Sequence, residues 1–233
     1  MSGRLASFRG PSTPSASPVQ VKQNPKSPSS PGRVTESTYH RKVRALLQDL
    51  RGTCETWDDL VLVDGMKAVK GLVDTRTDLD NQLALVPEGK QPQSRMVGEK
   101  LASMESRIED LDNILRKLRK QFQKMNAAVD ALESLLADAH KTKGWTWIHE
   151  EPLWVTWTLE KFVTRIPDIL HPYHRSLRLH EELVGSLRSH SVSFEASRDA
   201  MARWVEQPWL EEDGWDGKWE DLCSAEIERW DSQ

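Results

Sequence analysis

A run of apolar residues at alternating steps of four and three dominates the sequence between Val97 and Leu136. The twelve positions of this seam are Val97, Leu101, Met104, Ile108, Leu111, Leu115, Leu118, Phe122, Met125, Val129, Leu132 and Leu136. The alternation is the heptad a/d pattern, which places these side chains along one side of an α-helix. A helix from residue 94 to about residue 140 is roughly 70 Å long at ~1.5 Å per residue, so we expect it to need a partner along most of its length.

The seam itself leaves the partner of this helix open. A first helical pattern starts after Ser37 and ends before Pro87, and it can fold back antiparallel on the long helix. A second chain can also supply the partner. We predict an all-α protein, an elongated helical bundle with a long antiparallel coiled coil over residues 36–140. Gly52 and Gly65 each weaken a helix interior by about 1 kcal/mol relative to alanine, so we expect a kink or break near one of them.

Residues 145–207 form a C-terminal helical region in this interpretation. Pro167 and Pro172 interrupt its apolar periodicity, because proline lacks the amide donor and clashes with the preceding turn. We therefore expect a helix to start or kink between these two prolines. Ser193 is a favourable N-cap for a shorter helix that Pro208 ends. No segment shows the alternation that a half-buried strand requires.

The first 34 residues contain six prolines, eight serines and five basic residues but no acid. Such a segment buries too little apolar surface to offset its ordering entropy, so we expect a disordered arm. Its basic charges are widely spaced and have no aromatic residues between them, and a nucleic-acid partner is therefore not expected. Residues that precede a proline are candidates for proline-directed phosphorylation, and they are Thr13, Ser17, Ser27 and Ser30.

The other end of the chain is acidic and rich in tryptophan, and we interpret residues 208–233 as an acidic tail. Nine of the ten tryptophans follow residue 144. Indole rings bury large areas and are enriched at interface hot spots. We expect core packing for Trp154, Trp157 and Trp204. We expect docking to a partner's basic groove for the tryptophans that stand among carboxylates, which are Trp209, Trp215, Trp219 and Trp230.

Several functional classes have no support in the sequence. No stretch reaches about 18 consecutive apolar residues, and the start has no apolar block behind its basic residues, so neither a membrane span nor a secretory signal is expected. Cys54 and Cys223 lie far apart, which disfavours a disulfide framework or a cysteine zinc site. We expect an intracellular protein.

Catalytic patterns are missing as well. The sequence has no phosphate-binding loop GxxxxGK[ST], no GxGxxG, no HExxH and no GxSxG. His171, His174 and His180 have no cysteine or carboxylate at ligand spacing, so we interpret them as structural or solvent-facing. We expect no enzymatic activity, no metal, no cofactor and no small-molecule substrate.

Two short runs resemble the cyclin-dependent kinase 2-interacting protein family. They are TWDDLVL at residues 56–62 and ARWVEQPWLE at residues 202–211. In that family a Trp-x-x-Leu-(Ile/Val)-Leu run opens a long helix, and a Trp-(Leu/Val)-x-Gln-Pro-aromatic run closes the fold. Between them, Lys143-Gly144 matches the family's linker, and Trp157-Thr158 or the residues beside Trp147 match its Trp-Thr pair. The resemblance covers about residues 53–212.

The resemblance implies a non-enzymatic nuclear adaptor, and it leaves an additional cytoplasmic location open. It implies a subunit of an AAA-type ATPase assembly that acts in DNA replication, checkpoint signalling and large ribosomal subunit maturation. The implied partners are a helical co-subunit, the AAA-type ATPase and cell-cycle kinases. The residues that the two runs offer as partner-binding candidates are Trp57, Leu60, Trp204, Gln207, Pro208 and Trp209.

A different class of function fits the seam without the resemblance. A long heptad helix is also typical of a structural coiled-coil subunit in a tethering or cytoskeletal complex that has no kinase link. Neither reading involves a membrane. The proteins that accompany the chain in cells distinguish the two.

Overall fold

The computed structural model describes residues 36–211 and 215–228. This part of the chain is helical and contains no β-strand, which confirms the predicted all-α class. The chain divides after Thr35, and the described residues belong to its second unit, Glu36–Gln233. The predicted disordered arm lies outside the described residues, together with its four phosphorylation candidates Thr13, Ser17, Ser27 and Ser30.

The first helical pattern forms one unbroken helical run that contains an irregular turn. It consists of α1 (Thr38–Asp58), a π-helical segment (Asp59–Gly65) and α2 (Met66–Ala84). The Ser37 hydroxyl caps α1 by accepting a hydrogen bond from the His40 amide at 3.5 Å. The expected irregularity therefore ends at Gly65, whereas Gly52 lies inside the regular helix α1.

The long helix α3 (Ser94–Lys143) packs antiparallel against this first run. Three polar contacts give the direction, because residues that rise in number along the first run meet residues that fall in number along α3. These contacts are Tyr39 Oη with Asp138 Oδ2 at 2.9 Å, Asp64 Oδ2 with Lys117 Nζ at 3.6 Å and Asp78 Oδ2 with Lys100 Nζ at 3.1 Å. The antiparallel partner of α3 is thus the first helical run of the same chain.

Eight of the twelve seam residues of α3 are buried, and the other four, Val97, Leu101, Phe122 and Leu136, are partly buried. The buried face is also wider than the heptad pattern. Four further residues of α3 are buried beside it, namely Ile114, Gln121, Leu135 and Ala139. A straight helix has about 3.6 residues per turn and drifts by ~20° per heptad, so a strict seam cannot face one neighbour along the whole length. The wider face meets α1 and α2 as well as the later helices α5 and α6. Supercoiling of the hairpin stays a prediction.

The helices of the C-terminal region begin and end near the prolines and the N-cap serine that the sequence analysis named. It contains α4 (Trp145–His149), α5 (Leu159–Arg165), a 3-10 turn (Ile166–Ile169), α6 (Leu170–Leu187) and α7 (Phe194–Glu206). Pro167 lies in the 3-10 turn, where the kink was expected. The Ser193 hydroxyl caps α7 by accepting a hydrogen bond from the Ala196 amide at 3.2 Å, as its position predicts.

The described residues of the predicted acidic tail are helical. The described part contains α8 (Pro208–Glu211), α9 (Trp215–Leu222) and a π-helical segment (Cys223–Glu228). The expectation that Trp219 is available for docking is wrong, because only 5% of it is exposed. Apolar residues recur at helical spacing in residues 219–227, and one face of this segment is buried. Of the described acids, Asp221 and Glu228 are exposed, whereas Glu226 lies on the buried face. Trp230 and the side chain of Trp215 lie outside the described structure.

A buried cation joins the first helical run to the turn between α6 and α7. The Arg76 guanidinium is 2% exposed and donates to the carbonyl oxygens of Leu187 and Ser189, both at 2.9 Å, and to Ser197 Oγ at 2.8 Å. Desolvation by burial lowers the pKa of Arg76. The carbonyls at the C-terminal end of α6 carry partial negative charge and stabilise the cation.

Replacing Leu115 with Asp tests the packing of the seam. Leu115 is 4% exposed, so the substitution buries a carboxylate without a partner and should lower the free energy of unfolding by about 3 kcal/mol or more in urea titration. Gln123→Asp is the matched control, since Gln123 is exposed on the same helix. Equal unfolding midpoints for the two variants would contradict the burial of the seam.

Candidate functional site

The two runs that carry the family resemblance meet at the π-helical segment. The Trp57 indole N–H donates to Gln207 Oε1 at 3.2 Å, and the Trp204 indole N–H donates to the Val61 carbonyl oxygen at 3.0 Å. About 150 residues separate the partners in each pair. We call this contact the tryptophan junction, formed by Trp57, Gly65, His180, Trp204 and Gln207.

The wide π-helical turn and Gly65 together make room for Trp204. The Val61 carbonyl accepts a hydrogen bond from the Met66 amide, five residues on, and the same oxygen also accepts the Trp204 indole N–H. A Cβ atom on Gly65 would lie 2.6 Å from Trp204 Cζ2 and 2.9 Å from the Leu60 carbonyl oxygen. Glycine is therefore the residue that lets the indole approach the helix backbone this closely.

Gln207 combines an unusual backbone with a buried polar side chain. It ends α7 in the left-handed region, with φ 38° and ψ 53°, and is 7% exposed. A non-glycine residue in this region costs roughly 1–2 kcal/mol. The hydrogen bond from Trp57 to its amide oxygen satisfies a polar atom that burial would otherwise penalise, and the turn directs the chain into α8.

His180 closes the junction from the side of α6. Its ring packs edge-on against Trp204, with ring centres 4.5 Å apart and planes at 87°. Nδ1 lies 2.7 Å from the Ser176 carbonyl oxygen, and Nε2 lies 3.3 Å from the Trp204 carbonyl oxygen. Burial lowers the pKa of His180, against the opposing effect of these two carbonyls. The neutral ring has one N–H, so it donates to only one of them at a time.

The structure brings the candidate residues together but buries most of them. Trp57, Leu60, Trp204 and Gln207 are each less than 8% exposed, so their interpretation as partner-binding residues does not fit their placement. The indoles of Trp57 and Trp204 donate to groups of the same chain. Trp204 is in the core as expected.

Pro208 and Trp209 are the two candidates that keep partial exposure. The Arg175 guanidinium lies over the Trp209 ring, 4.7 Å from its centre, which holds the indole against α6. The side chain is thus neither buried in the core nor free of contacts. Of the two other tryptophans expected in the core, Trp154 is buried, and Trp157 is partly buried against Phe162.

Sequence reasoning missed the role of Gly65, which it interpreted only as a weak point in a helix. His180 is fully buried, which agrees with its interpretation as a structural histidine. It lies seven residues after Tyr173 and four before Val184, both buried on α6, which is the spacing of one helical face.

Neither a metal site nor a membrane helix is found in residues 36–211 and 215–228. No group of three or more His, Cys, Asp or Glu side chains there is arranged to hold a metal ion. No helix in the same residues has the length and apolar character needed to cross a membrane.

Comparison with known proteins gives no family model that matches the chain and no significant match among curated proteins. The family resemblance therefore stays a prediction.

Substituting Gly65 with Ala tests the close approach of Trp204. The added Cβ overlaps the indole and a backbone oxygen, so the free energy of unfolding should fall by about 1–3 kcal/mol in chemical denaturation. Gly52→Ala is the matched control in the same helical run, because a Cβ there meets no atom within 4 Å. It should raise stability by roughly 0.5–1 kcal/mol. The same sign of change for both variants would refute this account of the π-helical turn.

The burial of His180 predicts a pH dependence of stability. Its lowered pKa means that the unfolded chain, with an ordinary value near 6.5, binds a proton that the folded chain does not bind until a lower pH. Stability should therefore fall as the pH drops from about 6.5 toward the folded pKa. Urea titrations at several pH values should show a shallower decline for His180→Gln. The exposed residue His171, changed to Gln, is the control, and a decline unchanged by His180→Gln would contradict the assignment.

Proposed function

We propose that this chain is a non-enzymatic helical adaptor of the nucleus that works by binding other proteins. As the resemblance implies, it serves as a subunit of an AAA-type ATPase assembly in DNA replication, checkpoint signalling and large ribosomal subunit maturation, with links to cell-cycle kinases. The tryptophan junction supports the resemblance. Chance matches to two short runs do not require that the runs touch, yet here Trp57 of the first run donates to Gln207 of the second, and Trp204 of the second run donates to Val61 of the first.

The same two runs also carry apolar side chains on the protein surface, and this observation carries the adaptor function. Leu62 is 44% exposed and Val205 is 42% exposed, and Val63, directly after the first run, is 61% exposed. The contact between Val61 and Trp204 places the two runs side by side. Inward residues of each run therefore hold the fold, while neighbouring ones offer apolar area to a partner. Trp209 belongs to the second run and adds an aromatic group of the type enriched at hot spots.

The alternative, a structural coiled-coil subunit of a tethering or cytoskeletal complex, receives less support. Such a subunit needs a seam that a second chain can cover along its length. Here α1, α2, α5 and α6 contact α3, and eight of the twelve seam residues are buried within the chain. A partner helix would have to displace these contacts.

Affinity purification from cells tests the proposal. The full chain should recover an AAA-type ATPase together with replication factors and its helical co-subunit. Recovery of tethering, cytoskeletal or kinetochore subunits instead, with no AAA-type ATPase, would overturn the adaptor function and favour the alternative.

Two tryptophans of the second run should differ in this purification. Trp209→Ala removes a partly exposed ring and its contact with Arg175, so stability should change by about 1 kcal/mol or less while recovery of the ATPase falls. Trp204→Ala removes a fully buried ring and should cost roughly 3–5 kcal/mol of stability.

Trp145→Ala is the matched control for binding. Trp145 is 57% exposed and lies outside both runs, so its loss should leave recovery unchanged. Wild-type yield of every partner with Trp209→Ala would show that the second run does not contact the partner.

A further inference from the structure

The acidic C-terminal segment, residues 215–228, is attached to the rest of the fold through a buried carboxylate. Glu226 is 4% exposed. Its Oε2 accepts hydrogen bonds from the amides of Thr156 and Trp157 at 3.0 and 3.1 Å, and its Oε1 accepts one from the Thr156 hydroxyl at 2.5 Å. Three donors thus converge on one carboxylate, an arrangement that favours an anionic group over a neutral amide.

Apolar side chains accompany this carboxylate on the inner face of the C-terminal segment. The residues that are at most 9% exposed are Trp219, Leu222, Cys223 and Ile227. Their spacing of three or four residues is that of an amphipathic helix that lays one face into a groove. The pattern is an aromatic residue (Trp219), an aliphatic residue three positions later (Leu222), and a glutamate followed by an aliphatic residue (Glu226-Ile227) after four more positions.

The C-terminal segment leaves part of the surface beside it uncovered. A half-open cleft of about 880 Å³ lies between it and residues 156–172, which we call the docking wall. Trp157, Ile166 and Pro172 line the cleft from the docking wall, and Trp219 and Leu222 line it from the C-terminal segment. Apolar atoms along an open cleft remain in contact with water, and burying them is favourable. A helix that closes the cleft would therefore bury apolar area that this segment leaves exposed.

At the cleft, the docking wall presents more basic than acidic side chains. The basic ones are Lys161, Arg165 and His171, and the acid is Asp168, whose Oδ2 lies 4.0 Å from Arg165 Nη1. The Lys161 ammonium lies 4.6 Å from the centre of the Trp157 ring, so a cation and an indole are presented together. The C-terminal segment contributes Asp221 and Glu226, together with Lys218, to the same cleft.

We propose that the docking wall is a binding site for an acidic amphipathic helix of a partner protein, and that the C-terminal segment occupies it within the same chain. The partner helix presents the same order of groups, an aromatic residue, an aliphatic residue and a glutamate followed by an aliphatic residue. Tethering gives the C-terminal segment a high effective concentration, which compensates for its incomplete packing. This inference rests on the proposed adaptor function and deepens it. Its test uses only the purified chain and a peptide, so the binding site and the adaptor function can each fail without the other.

A labelled peptide of residues 215–228 is the probe, added to the full chain under reducing conditions and followed by fluorescence anisotropy. Glu226→Gln in the full chain weakens the internal competitor, so this chain should bind the peptide at least tenfold more tightly than the wild-type chain. The peptide that itself carries Glu226→Gln should bind at least tenfold more weakly. Glu228→Gln in the chain is the control, because Glu228 is exposed and pairs with Arg51 at 2.8 Å.

Equal affinity of the Glu226→Gln and wild-type chains for the peptide would overturn the proposal, and so would equal binding of the two peptides. If the Glu226→Gln chain loses its helical circular dichroism, Leu222→Ala replaces it with the same expectation, since it weakens the C-terminal segment without touching the carboxylate. A wild-type chain that is dimeric by light scattering, and that the peptide converts to monomer, would assign the docking wall to a second copy instead of a partner.

Discussion

The close approach of Trp204 to the backbone of the first helical run is the contact on which the remaining packing depends. Its indole donates to the Val61 carbonyl, and it fits only because the helix widens there and because Gly65 has no side chain. Two distant parts of the sequence are held together by this contact. It positions α7. The C-cap residue of α7, Gln207, then turns the chain toward α8 and accepts a hydrogen bond from the Trp57 indole N–H.

Buried polar groups recur wherever the later helices meet the first run or one another. Arg76 donates hydrogen bonds to carbonyls at the end of α6, and His180 lies between two carbonyls. Glu226 accepts hydrogen bonds from two backbone amides. Each is an orienting contact, because a buried charge or imidazole is tolerated only where its partners are in place. The apolar seam of α3 supplies buried area, but apolar contacts are non-directional. The polar contacts need specific partners and therefore favour one arrangement of the helices.

Local features of this fold could be predicted from the sequence, and long-range ones could not. The cap at Ser193 and the start of a helix between Pro167 and Pro172 depend on neighbouring residues, and both are present. The burial of Trp219 was missed because the acids around it were interpreted as a property of the whole segment, whereas Asp221 and Glu228 are exposed and Glu226 is buried on the same face as Trp219. The role of Gly65 depends on an indole nearly 140 residues away, and no local pattern contains that information. The same limit explains why Trp57 and Gln207, which the resemblance offered as partner-binding candidates, were not predicted to contact each other.

A double-mutant cycle on Trp57 and Gln207 tests most directly whether the two runs stabilise the fold through their mutual contact. Trp57→Phe removes the indole donor, Gln207→Met removes the acceptor, and urea unfolding of the single and double variants gives their coupling. The contact predicts a coupling energy of about 0.5–1.5 kcal/mol. Strict additivity of the two substitutions would contradict this contact, and the two runs would then not stabilise the fold through it.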